Sequence, residues 1–227
     1  MNLLVVSATE AEIAPLIAHL RQNWHQYSDT AFSNGTHELH LLITGVGMMR
    51  ATYAITKALA HHSYQFAVQA GIAGSFNKEI VLGALLVVEK EILGDLGAED
   101  HHLFHDIYDL RLAQPDEFPF SEKALITKPC DWLDLSDLRK VSSLSVNTVS
   151  GSSFTANARH KKYGCDIESM EGAAFHYVCL REGIDFLQIR SISNYVEARN
   201  RSAWKIAEAV SALNDWLISL LSKLPQQ

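Results

Sequence analysis

Cysteine is scarce in this sequence. Cys130, Cys165 and Cys179 are the only three in 227 residues, and they lack the paired spacing of a redox or metal site. An odd, small number of thiols fits a reducing, cytoplasmic setting rather than a disulfide framework. Long apolar runs are missing too. None approaches the roughly 20 residues a membrane helix needs, so no membrane partner is expected. Residues 3–6 follow Met1 directly, with no basic n-region and no cleavage site, so no signal peptide is expected either. Positive charge is in deficit, with 19 Lys and Arg against 26 Asp and Glu and a net charge of -7. That balance argues against nucleic acid as the main partner. No internal repeat or low-complexity tract breaks the chain.

What remains is a chain that is 48% hydrophobic, enough for a sizeable core. Its length suits a single α/β domain spanning residues 1–227. Apolar strand-like runs fall at residues 2–7, 39–44, 66–70, 81–89, 144–149 and 184–192. Between several of them lie helical spacings, first Ile13, Leu16, Ile17 and Leu20, later Arg50, Tyr53, Ala54 and Leu59. A last helix from about Ser202 carries Ile206, Val210, Leu213, Leu217 and Leu220 on one stripe. This alternation predicts a largely parallel, doubly wound sheet. Residues 94–134 break the rhythm as a loop-rich excursion, with a short helix expected near residues 131–139.

Ligands of open α/β sheets bind at the carboxyl ends of strands, so the residues after each strand carry the functional argument. Thr9-Glu10-Ala11-Glu12 has the form of a capping box. Glu12 is therefore either helix-capping or a general base, and the two roles compete for the same oxygens. Gly45-Val46-Gly47 is a tight turn before a helix, which can cradle an anion. It lacks the third glycine of the dinucleotide fingerprint, position 50 being Arg, and no Walker lysine follows. Gly71-Ile72-Ala73-Gly74-Ser75 reads as a second glycine-rich turn, and residues 150–155 as a loop in which Phe154 is either core or a stacking face for a flat base. Residues 165–174 read as a short strand running into a helix, with Glu171 in the first helical turn. Met170 and Glu171 there offer a sugar ring an apolar face and a two-oxygen acceptor; the alternative is a core Met and a helix-start Glu favoured by the dipole. Asn194 falls just past a strand end, as a turn residue or a reader of a base. His101, His102 and His105 beside Asp100 and Asp106 complete no metal-ligand spacing, so neither metal nor cofactor is expected.

Five of these pieces, in this order, resemble the nucleoside phosphorylase and nucleosidase superfamily: residues 9–12, 71–74, 150–154, 169–173 and 191–194. The resemblance spans roughly residues 3–221. Within it, residues 93–100, 168–172 and 191–196 are most similar to the futalosine hydrolases, nucleosidases of a menaquinone pathway. The resemblance implies a three-layer α/β/α sandwich around a mixed, partly barrel-like sheet, in a homodimer or higher homo-oligomer. It implies hydrolysis of futalosine to hypoxanthine and dehypoxanthine futalosine. By matching positions, Glu12 activates water, Met170 and Glu171 hold the ribose, and Phe154 and Thr155 bind the base. Ile72, Ala73 and Gly74 belong to the substrate-binding set. Asn194 takes the base-reading position, which is Asp in the adenosine-type nucleosidases. An Asn amide is a poor acid, but it can donate to O6 of a 6-oxopurine and accept from N7–H. Hypoxanthine is therefore the expected leaving base, although an Asn can also pair with adenine. The acidic first loop disfavours phosphate as second substrate; Arg50 is the one arginine against that argument. A methylthioadenosine/adenosylhomocysteine-type nucleosidase and a 6-oxopurine nucleoside phosphorylase remain the alternatives. For a carboxylate on the 5′ substituent, Arg111 and Lys123 are the candidate partners.

Overall fold

The computed structural model describes residues 1–101, 103–128 and 132–225. Strands β1 (Asn2–Ser7), β4 (Glu38–Ile43), β5 (Phe66–Ser75), β6 (Leu85–Leu93), β10 (Arg139–Ser145), β11 (Ile167–Ser169) and β12 (Phe186–Tyr195) form most of one sheet. Its order is β11-β10-β6-β12-β5-β1-β4, extended at the far edge by β3 (Ala31–Ser33) and β2 (His25–Ser28). Strand β9 (Ala124–Ile126) adds to β6. Because β11 also pairs with β5, the strands β5, β12, β6, β10 and β11 close into a ring. The sheet is mixed: β12 runs antiparallel to β6, and β11 antiparallel to β5. The doubly wound, largely parallel sheet expected from strand–helix alternation is thus corrected to a mixed one. Alternation reports the crossovers and is silent on the return strands that close the ring.

Helices α1 (Glu10–Asn23) and α5 (Ile206–Leu221) cover one face, and α2 (Met48–His61) and α4 (Gly172–Glu182) the other. The first layer buries Leu16 and Leu20 of α1 with Leu213 and Leu217 of α5 against Val68 and Ile189. The second packs Ile55, Phe175 and Val178 on Val6 and Ala67. A third cluster takes Ala73, Val88, Val141, Ile167 and Ile192, one from each strand of the ring. Close-packed apolar interiors on both faces make this the three-layer sandwich anticipated above.

Several boundaries moved. Strand β5 runs ten residues and absorbs Gly71 to Ser75, where a turn was expected, because glycines let strands approach closely as well as turn. Residues 81–84 precede β6 and Val81 is exposed; its apolar character is not burial. Residues 146–149 lie beyond β10, and α3 (Ser153–Tyr163) begins inside the expected loop, capped by Ser152, whose Oγ accepts from Thr155 N–H at 3.1 Å. The last helix starts at Ile206, after a 3-10 turn at Arg201–Ala203. The excursion carries a hairpin of β7 (Gly97–Asp100) and β8 (Leu103–Asp106). Of the short helix expected near residues 131–139, residue 131 lies outside the described residues, and residues 132–138 form turns leading into β10. Cys130 and His102 also lie outside the described residues.

Candidate active site

Helix α1 positions the first carboxylate. Thr9 caps it, and both halves of the capping box form. Glu12 Oε2 accepts from Thr9 N–H and Thr9 Oγ1, each at 2.9 Å, and from Ser7 Oγ at 3.3 Å. Glu12 Oε1 reaches across the sheet and accepts from Ile72 N–H at 3.1 Å. The two roles in competition for Glu12 are therefore divided between its oxygens: one caps, and the other keeps acceptor capacity toward β5. Pro15 lies inside α1, and Ile13 leaves helical geometry, as expected where a proline removes a donor and crowds the preceding turn. Buried Asn214 of α5 bridges that break. Its Nδ2 donates to Glu12 C=O at 2.8 Å, and its Oδ1 accepts from Leu16 N–H at 3.0 Å. The kink and its bridge hold the backbone of Glu12.

Strand β11 and helix α4 place the second carboxylate. Glu171 is the N-cap residue of α4, not a residue of its first turn. It is 5% exposed. Its Oε1 accepts from Gly47 N–H at 2.9 Å. The Gly-x-Gly turn before α2 thus spends its anion-cradling donor on the protein's own carboxylate. Arg50 folds back on Gly45 and is not part of the cavity described next. Burial raises the Glu171 pKa; Arg190 and the Gly47 bond oppose the shift, and Glu12 adds to it.

Glu12 and Glu171 face one cavity of about 410 Å³. Ile72, Ala73 and Gly74 of β5 line it, as do Met170 and Asn194. Asn194 enters through a register shift in β12, where Ile192 pairs with Ala73 and Asn194 with Gly74. Ser193 is the extra residue, and such a bulge re-aims its neighbour. Asn194 sits within the strand rather than beyond it. Its Oδ1 accepts from Ser193 Oγ at 2.8 Å and its Nδ2 donates to Tyr195 C=O at 3.0 Å. Those partners fix the amide orientation and leave one N–H and one lone pair for a ligand. Phe154 and Thr155 are not among the lining residues. Phe154 points outward from α3 and is 70% exposed, and Val149 forms the wall on that side.

Sequence reasoning missed Arg190. It lies on β12 directly opposite Gly71 and is 1% exposed. A methyl on Gly71 would fall between Arg190 Nη1 and Glu12 Oε1, so the two charged groups flank that glycine. Fully buried Glu91 lies behind, its pKa raised by burial and drawn down by Gln188 and Arg190. It accepts from Ser145 Oγ at 2.8 Å and Gln188 Nε2 at 2.9 Å, while Ser145 Oγ accepts from Ala173 N–H at 2.7 Å. This chain of bonds anchors the start of α4 beneath Glu171. Glu168 is likewise held, by Ser150 N–H, Ser150 Oγ and Arg159 Nη1. No sequence motif marks either network; each is assembled from separate strands.

The cations proposed for a carboxylate fall elsewhere. Lys123 approaches Asp106 at 3.7 Å and Asp109 at 3.6 Å, and Arg111 lies in the excursion at a positive φ. His101 approaches Asp100 at 3.7 Å on the surface, and among the described residues no group of three His, Cys, Asp or Glu side chains converges on a metal position.

The family model of the Phosphorylase superfamily matches residues 2–222. The chain belongs to this superfamily. Within it, a futalosine hydrolase of Streptomyces coelicolor is 32% identical over 181 residues, covering 77% of this chain and 75% of that protein. The structure of a Helicobacter pylori futalosine hydrolase superposes with a TM-score of 0.79 at 18% identity, covering 99% of this chain and 98% of the other. A mutant H. pylori nucleosidase with 5′-methylthioadenosine in its active site superposes at 0.78 and 18% identity, covering 98% and 99%. These two likenesses establish the superfamily fold.

Proposed function

We propose that this cavity hydrolyses the N-glycosidic bond of a purine nucleoside, and that the nucleoside is futalosine, released as hypoxanthine and dehypoxanthine futalosine. The observation that carries the reading is the shared cavity of Glu12, Glu171, Met170 and Asn194. Met170 offers the sugar an apolar surface. Glu171 Oε2 makes no hydrogen bond to a described residue, so it is open to the ribose hydroxyls while Oε1 is tied to Gly47. Glu12 Oε1, beside Ile72 N–H, accepts the proton of the attacking water. Asn194 donates to O6 as charge collects on the departing base, and its free lone pair accepts from N7–H once solvent has protonated N7. Water is favoured over phosphate because Glu12 and Glu171 both face the cavity and the Gly47 donor is already taken. The relative from S. coelicolor carries the futalosine assignment.

The methylthioadenosine-type alternative rests on the versatility of the Asn amide. A phosphate-free end-point assay separates the readings. Futalosine, inosine and methylthioadenosine are incubated separately with the protein and the free base is followed by chromatography. Hypoxanthine from futalosine supports the proposal. Adenine from methylthioadenosine with futalosine untouched, or strict dependence on added phosphate, overturns it.

A place in menaquinone biosynthesis follows from that substrate, and a cytoplasmic location accords with free, buried Cys165 and Cys179. Among the described residues no helix is long and apolar enough to cross a membrane. A homo-oligomer is proposed from the exposed apolar Met49 and Tyr53 on α2, with light scattering as its test.

A further inference from the structure

We propose that Arg199, backed by Trp204 and Arg201, is the subsite for a carboxylate carried by the nucleoside. The proposal rests on the nucleosidase reading and names the group that sets its specificity. Arg199 and Trp204 line the same cavity as Glu12, Met170 and Asn194. The Arg199 guanidinium lies 5.4 Å from the Trp204 ring centre, and that of Arg201 lies 5.9 Å from it. The segment carrying them is tied at both ends. Arg199 N–H donates to Gly151 C=O at 3.2 Å, and Lys205 N–H to Ser193 C=O at 2.7 Å, next to Asn194. Between the ties, Ala203 N–H bonds Asn200 C=O and Ser202 Oγ bonds Asn200 Oδ1. The strap therefore sits at a set position beside the base-reading residue.

Charge is the second argument. Three carboxylates line the cavity: Glu12, Glu168 and Glu171. An anionic substrate entering such a site is repelled unless a cation meets it. Three neighbouring cations are paired, Arg159 with Glu168 at 2.9 Å, Lys78 with Glu197 at 2.9 Å and Lys205 with Glu208 at 3.1 Å, and Arg190 is buried beneath the site and does not line the cavity. Arg199 and Arg201 pair with no carboxylate among the described residues, in a chain with more acid than base. A guanidinium resting on an indole keeps its planar fork of donors free. That fork matches a carboxylate in bidentate geometry, and the Trp204 ring presents an aromatic wall beside it. The group that fits is a carboxylate on a flat, apolar part of the nucleoside.

The test measures kcat/KM without phosphate for futalosine and for its methyl ester, in the wild type, Arg199→Gln, Arg199→Lys and Arg201→Gln. The wild type is expected to prefer the acid. Arg199→Gln is expected to lower the acid-to-ester ratio by roughly 10- to 100-fold, the range of one charge-assisted hydrogen bond, mainly through KM for the acid. Lys is expected to restore part of the ratio, and Arg201→Gln to show a smaller loss. A ratio unchanged in Arg199→Gln, whatever the absolute rates, overturns the subsite while leaving the nucleosidase reading in place. Wild-type protein that cleaves neither compound overturns that reading and the subsite with it.

Discussion

Gly71 is the position where a single methyl group should do most harm to the proposed chemistry. It lies on β5 opposite Arg190 on β12. A methyl built there would lie 2.3 Å from Arg190 Nη1 and 3.0 Å from Glu12 Oε1. Ordinary contact begins near 3.5 Å, so the guanidinium must move by about 1 Å. Arg190 is 1% exposed, so its guanidinium cannot swing out into solvent. Overpacking of this kind costs about 1–3 kcal/mol. For a domain of this size, each kcal/mol corresponds to about 2–4 °C in Tm. A displacement near 1 Å in a catalytic constellation can cost roughly 100-fold in rate. Gly71→Ala should therefore melt several degrees lower and lose most of its kcat on futalosine at 25 °C, where it is still folded. Gly151→Ala, which meets nothing within 4 Å, serves as the steric control in thermal melting. A Gly71→Ala protein with wild-type Tm and kcat would refute the placement of Arg190 against Glu12.

Glu171 should give the pH profile an acid limb above the ordinary 4.5 of its carboxyl group, because burial raises its pKa and the ribose needs the ionised form. The sign for stability is opposite: a raised folded-state pKa contributes stability below the unfolded value, lost as pH rises through the folded one. Glu171→Gln should therefore gain stability relative to wild type above that limb, read by urea titration at two pH values; a wild type relatively more stable at the higher pH would contradict this. Asn194→Asp should move the ratio of adenine to hypoxanthine release toward adenine by roughly 10-fold or more, within the 1–3 kcal/mol of a bidentate base contact; competing-substrate chromatography that shows no change would remove Asn194 as the base reader. Arg159→Ala strips its bonds to Thr148 C=O, Ser150 Oγ and Glu168 Oε2 and leaves Glu168 buried, which should cost about 3 kcal/mol in urea unfolding. Adding Glu168→Gln should recover part of that loss, and strict additivity of the two changes would argue against the pair.

What was readable in the sequence was local. The capping box at Thr9 and Glu12 and the stripe of Leu213, Leu217 and Leu220 on α5 depend on spacings of three and four residues, and both formed; the Met170–Glu171 corner formed with Glu171 one step before the helix. What was hidden depends on register between distant strands. Arg190 stands in an apolar run, and nothing in that run shows that it faces Gly71. Asn194 looked like a residue past a strand end because a bulge leaves no mark on the spacing around it. The β5 glycines read as a turn because glycine serves turns and close strand contacts equally. Phe154 was placed in a loop, but Ser152 caps a helix there and turns the ring outward. The Gly-x-Gly turn was open to an anion; that Glu171 would fill the role needed the third dimension.

Glu12 Oε1 is the group proposed to activate the water. Single-turnover cleavage of futalosine by Glu12→Gln tests it most directly, because Gln at this position preserves the capping box and so the helix start. Futalosine binding is expected within a few-fold of wild type, with a cleavage rate lowered by roughly 100-fold or more, the share of a general base. A Glu12→Gln protein that binds futalosine and cleaves it at the wild-type rate would remove Glu12 as the general base.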